Sequence, residues 1–113
     1  MAIVYQLEAI DKEGKVVLRA QEKSIYPGFK TKDLIEKNDF DLFFLMLESL
    51  GITVNAIKII RINKAFLYRA LIVKEDGSKY ERAIPRRLAY SFLGYNNVPL
   101  YIEAELFDAL AKN

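Results

Sequence analysis

The stretch Asn38-Asp39-Phe40-Asp41-Leu42-Phe43-Phe44-Leu45-Met46-Leu47-Glu48-Ser49-Leu50-Gly51 decides the architecture. Asp39 and Asp41 stand near its start, where carboxylates complement the positive end of a helix dipole. Its glycine stands where a left-handed residue ends a helix. Between them, Phe40, Phe43, Phe44, Leu47 and Leu50 recur at helical spacing, and Leu42, Leu45 and Met46 form a second stripe. A helix apolar on nearly every side is expected to be buried, either at the centre of a core or against another subunit.

Outward from this helix, the periodicity changes. Ile52 to Asn63 is β-branched and reads as a strand. A tight turn at Asn63-Lys64-Ala65 leads into a second strand, Phe66 to Lys74. Glu75-Asp76-Gly77-Ser78 is a hairpin turn, and Lys79 to Ala83 returns as a third strand. Pro85 fits the first position of a helix, since a helix leaves its first amides unbonded. Leu88, Phe92 and Tyr95 share one face of that helix, and Gly94 with Asn96-Asn97 ends it. Val98 to Ile102 reads as a short buried strand. Glu103 to Lys112 closes the chain as a helix with Leu106, Phe107 and Leu110 inward. Toward the N-terminus, Ala2 to Ile10 and Val16 to Gln21 read as strands about a turn at Asp11-Lys12-Glu13-Gly14. Tyr26-Pro27-Gly28 breaks the chain, and Thr31 to Lys37 suits a helical turn or two with Thr31 as cap. The expected fold is α+β: one domain over residues 1–113, a mixed or largely antiparallel sheet, a buried central helix and two C-terminal helices.

Composition narrows the chemistry. The chain has 113 residues, 52% of them apolar, with seven Phe and seven Tyr. That supplies a core without disulfides or metals. It holds no Cys and no His. Disulfides, thiolate metal sites, imidazole bases and Ser-His or Cys-His nucleophile pairs are therefore excluded. The net charge of +2 is slight, so any anion recognition must come from a local patch. Charges interrupt every apolar run short of the roughly 18 residues that span a membrane. The start, Met1-Ala2-Ile3-Val4-Tyr5, lacks a basic leader region. A cytoplasmic protein without membrane contact is the expectation. Frequent Lys, Glu and Ile, with neither Cys nor Trp, suit a thermophile.

Three strings carry a resemblance. Asp41-Leu42-Phe43-Phe44-Leu45-Met46-Leu47-Glu48-Ser49-Leu50-Gly51 is similar to the apolar helix of the bifunctional nuclease (BFN) family, which follows a His-Asp pair and ends in Leu-Glu-Ser-Leu-Gly. Phe66-Leu67-Tyr68-Arg69 resembles the family's Phe-Tyr-Ala-Arg hairpin. Val98-Pro99-Leu100-Tyr101-Ile102 resembles its Ala-Pro-Ile-Tyr-Val. The match covers roughly the last two thirds of the chain. It implies an α+β fold and hydrolysis of DNA and RNA. The family His falls on Phe40, which has no acid-base chemistry, and the following Asp is kept as Asp41. The family's Asp-x-Arg-Pro-Ser-Asp signature falls on Arg82-Ala83-Ile84-Pro85-Arg86-Arg87. Only the proline is retained, and two carboxylates become the guanidinium groups of Arg82 and Arg87. That change reverses charge and removes metal-ligating capacity.

The functional expectation follows from those substitutions. Arg82, Arg86, Arg87 and Arg69 are the candidate phosphate or nucleic-acid contacts, with Tyr80 and Tyr90 as stacking partners for bases. Asp41 is the candidate catalytic residue, and a divalent cation is expected only if hydrolysis persists. Asp41 and Glu48, seven residues apart, stand about 10 Å apart along a helix and cannot share an ion. Asp39 and Asp41 need a further acid from the fold, with Glu81 and Glu103 as candidates. Lys58, Arg61, Lys64 and Arg69 read as a scattered solvated face that extends the patch if Arg61 and Arg69 share a side. DNA or RNA is the expected partner, together with a second copy of the chain. The competing expectation is a non-catalytic domain that self-associates through its apolar helix.

Overall fold

The β-branched run after Gly51 builds the two longest strands of the computed structural model, which describes residues 3–111. In chain order the strands are β1 (Val4–Lys12), β2 (Lys15–Ala20), β3 (Lys23–Ile25), β4 (Ile52–Ile62), β5 (Ala65–Lys74), β6 (Lys79–Ile84) and β7 (Leu100–Glu103). The helices are α1 (Lys37–Ser49), α2 (Arg86–Asn96) and α3 (Ala104–Leu110), preceded by a 3-10 turn at Thr31–Asp33. The strands form one sheet in the order β3-β2-β1-β7-β4-β5-β6. Only β4 and β7 run parallel; every other neighbouring pair is antiparallel. The mixed sheet and the two C-terminal helices match the sequence reading.

Alternation along the strands sorts side chains to two faces. Ile57 and Ile59 of β4 stand opposite Ala70 and Tyr68 of β5, and beside Leu100 and Ile102 of β7. All six are buried. Phe40 from α1, Phe92 from α2 and Phe107 from α3 close over this face and join the same core. Phe40 contacts Phe92 edge-on at 5.1 Å. The opposite face carries Lys58, Ile60, Leu67, Arg69 and Leu71, all half-buried.

The segment between β3 and α1 is tied down by α2. Arg87 Nε donates to the Asp33 carbonyl at 2.8 Å, and the Tyr95 hydroxyl donates to the Ile35 carbonyl at 2.7 Å. Ser91, fully buried, accepts from the Ile35 amide and donates to the Arg87 carbonyl. These side chains satisfy backbone groups of residues 33–35, while the same segment is pinned to β2 upstream by the antiparallel bridge between Lys30 and Lys15. Thr31 does not cap a helix; its hydroxyl donates to Asp11 at 2.9 Å and holds the 3-10 turn to the end of β1. The N-cap of α1 is Glu36, whose carboxylate accepts from the Asp39 amide at 3.1 Å.

One expectation is corrected. α1 is not a buried central helix within this chain. Phe40 alone is buried, with Phe44 and Leu47 half-buried beside it. Leu42, Leu45, Met46 and Leu50 are 61%, 61%, 56% and 69% exposed. The helix rides over one part of the helix-bearing face and meets other elements along a single stripe, so its second apolar stripe has no cover among the described residues.

Candidate nucleic-acid interface

Strand β6 is one of the two outer strands of the sheet, and its alternation is chemically uneven. Tyr80, Arg82 and Ile84 stand across from Ile72, Ala70 and Tyr68, which places them on the helix-bearing face. Lys79, Glu81 and Ala83 point the other way. Pro85 then takes the N-cap of α2 in extended geometry, with no side chain satisfying the first amides. Its fixed φ and missing N–H suit the strand-to-helix junction. Arg86 opens the helix.

Cations and rings alternate along this edge. The Tyr80 ring, 39% exposed, has Lys74 Nζ at 4.9 Å and the Arg82 guanidinium at 5.3 Å. The Arg86 guanidinium lies 5.5 Å from the Phe29 ring. Phe29 stacks on Tyr90 at 4.7 Å, and the Tyr90 hydroxyl meets the Tyr68 hydroxyl at 2.8 Å inside the core. Among the described residues, Lys74, Arg82 and Arg86 form no ion pair with a carboxylate. Burial pushes both phenols above their ordinary range, against the opposing field of Arg86. Both are neutral at physiological pH.

The four expected arginines do not converge. Arg82 and Arg86 belong to the edge just described. Arg69 lies on the opposite face of the sheet, where its Nε donates to Glu81 at 2.7 Å. Its charge is already matched there. Arg87 donates through Nε and a terminal nitrogen to the carbonyls of Asp33 and Leu34, a structural commitment. Arg61 stands on the helix-bearing face beside the Phe66 ring, so it does not share a side with Arg69. Tyr90 is buried and cannot stack on a base, whereas Tyr80 is accessible. Lys74 and Phe29 complete the edge and were not singled out from sequence. Lys74 follows from the hairpin register, but Phe29 comes from a loop that no local pattern docks.

The carboxylates are dispersed. Asp41 is exposed on α1, and its Oδ1 accepts from Lys37 Nζ at 2.6 Å. Asp39 is exposed at the helix start, Glu81 is held by Arg69, and Glu103 is exposed at the end of β7. Among the described residues no three acids gather where they could hold an ion.

No protein-family model matches the chain, and no curated protein matches it. The resemblance to the BFN family therefore rests on its three strings alone.

Proposed function

We propose that this chain is a divergent relative of the BFN family that binds single-stranded nucleic acid along the β6–α2 edge. One observation carries the reading: Lys74, Tyr80, Arg82 and Arg86 alternate positive charge with an accessible ring, and among the described residues none of the three cations forms an ion pair, although Lys74 also acts on nearby Asp76. Phosphates along a strand pair with such cations at any sequence, and every base has a face that stacks. Guanidinium groups suit phosphate oxygens because their donors form a planar fork.

The proposed activity is binding rather than hydrolysis, since Asp41 lies on another helix and is engaged by Lys37. The test is retention of single-stranded DNA and RNA over a salt series, with and without magnesium or manganese. Affinity should fall linearly with salt on logarithmic axes. Lys74→Ala, Arg82→Ala and Arg86→Ala should each lower the slope by about one unit or less. Arg19→Ala, far across the sheet, serves as the control. Absence of binding at low salt would sink the reading. Cleavage that Asp41→Ala abolishes would restore a nuclease.

A second reading has its own observation. The uncovered stripe Leu42, Leu45, Met46 and Leu50 on α1 favours a non-catalytic domain that self-associates, because contiguous exposed apolar surface commonly marks an interface. Its test is the oligomeric state in solution.

A further inference from the structure

The chain carries two surfaces without a partner, and their chemistry is complementary. The first is the outer stripe of α1, where Leu42, Leu45, Met46 and Leu50 are exposed. Helical spacing sets Asp39 among these side chains and Glu48 at their flank, both exposed. The second is the far face of the sheet. Phe40, Phe92 and Phe107 hold the three helices to one face, and among the described residues no helix covers the other. Across β4 and β5 that far face presents Ile60, Ile62, Leu67, Leu71 and Val73. Lys58 on β4 and Lys79 on β6 stand to either side of Leu71.

Charge decides which surface meets which. Among the described residues Asp39, Glu48, Lys58 and Lys79 form no ion pair, whereas Arg69 and Glu81 on the far face already match each other. The free charge of the helix stripe is therefore acidic, and that around Leu71 is basic. Two such stripes packed together share like charges; a stripe laid on the far face brings opposite charges together. The spacings agree. Asp39 and Glu48 are nine residues apart, about 14 Å along a helix. Lys58 and Lys79 lie two strands and four register positions apart, about 16 Å. Between them, Leu71 and Val73 border an open hollow of about 330 Å³ beside the bulge at Asn55. It has room for a leucine or methionine side chain.

We propose that α1 of one copy docks on the far sheet face of a second copy, with Leu42 and Met46 over Leu71 and with Asp39 and Glu48 reaching Lys58 and Lys79. This rests on the self-association reading and names the surface that α1 meets. The donating helix and the receiving face lie on opposite sides of the sheet. The contact therefore cannot be reciprocal within a pair. Each copy gives a helix to one neighbour and takes a helix from another, which builds a head-to-tail ring or filament instead of a two-fold dimer.

Mixing variants in sedimentation velocity tests the pairing. The wild-type chain should form species larger than a dimer. A helix variant, Leu42→Gln with Leu45→Gln, and a sheet variant, Leu67→Gln with Leu71→Gln, should each sediment as monomers. An equal mixture of the two should form a dimer and nothing larger, because one intact stripe meets one intact face and neither partner can extend the chain. A second set uses exposed or half-buried charges and spares the fold. Asp39→Lys with Glu48→Lys, and Lys58→Glu with Lys79→Glu, should each weaken association about tenfold or more, and mixing the two reversed chains should restore it. Both sheet-face variants associating like the wild type, mixtures that restore nothing in either set, or a wild type that stops at a dimer would overturn this pairing and leave self-association through α1 in place. A wild type that stays monomeric overturns both.

Discussion

The Ser91 hydroxyl accepts the Ile35 amide at 3.0 Å across 56 residues of sequence, and donates to the Arg87 carbonyl at 2.8 Å. It is a fully buried polar side chain inside the core, and both of its bonds serve backbone. Removing it leaves the half-buried Ile35 N–H without its partner. Ser91→Ala should therefore cost about 1–3 kcal/mol. The check is urea unfolding, with the midpoint lowered and the slope unchanged.

Gly51 ends α1 with φ +70°, its amide bonding back to the Glu48 carbonyl at 3.0 Å. A Cβ there would stand 2.9 Å from the Glu75 Cβ, a backbone-anchored atom that cannot swing away. Left-handed geometry and this clash act in the same direction. Gly51→Ala should destabilise by about 1–2 kcal/mol or more. Gly77→Ala, with φ +87° but open space around it, should cost less. Thermal unfolding of the pair separates strain from crowding.

Alkaline unfolding should report the buried phenols. Burial raises Tyr90 far above its ordinary 10.0, with a smaller contribution from Tyr68. Tyr68 is raised by burial too, partly offset by its bond to Tyr90 and by Arg86. A raised folded-state value means that the native chain holds a proton the unfolded chain releases. Stability is thus intact below the unfolded value near 10 and falls as pH climbs beyond it, by about 1.4 kcal/mol per pH unit for each such group. Tyr90→Phe should make that decline shallower. Stability measured between pH 9 and pH 11 tests it.

The α1 stripes predict opposite responses. Phe40→Ala empties a site packed by Phe44, Phe92 and Tyr95, and should cost about 3–5 kcal/mol. Leu42→Gln and Leu45→Gln lie on the uncovered side and should change monomer stability by less than about 0.5 kcal/mol. If the stripe is a self-association surface, these two changes shift sedimentation toward monomer. A wild-type chain that sediments as a monomer at every concentration would rule that role out.

Much of the fold was legible because the signals were local. The helix from Lys37 to Ser49, the two hairpins after Gly51 and the Pro85 start of α2 each announce themselves through period, turn chemistry or both. β3 did not. It is three residues long and follows a turn in which Gln21 and Glu22 adopt φ +52° and +64° without glycine or asparagine. Turn preferences cannot flag such a pair. The site was only half legible. Arg82 and Arg86 are visible beside Pro85, but the separation of Arg69 from them depends on sheet parity, and the fate of Arg87 depends on where residues 33–35 dock. The exposure of Leu42 and Leu45 was hidden for a different reason: composition marks a stripe as apolar without saying which neighbour covers it.

Among the described residues, the order β3-β2-β1-β7-β4-β5-β6 makes four residues, Leu100 to Glu103, the only strand joining the N-terminal meander to the central hairpins. Val4 through Leu7 must wait for partners nearly a hundred positions downstream. Such distant closure is entropically slow, whereas each flanking hairpin zips locally. A growing polypeptide thus holds two half-sheets with bare inner edges until its seventh strand emerges. Weakening that short seam, for instance with Tyr101→Pro, should unlink the halves and leave edges prone to pairing with other chains.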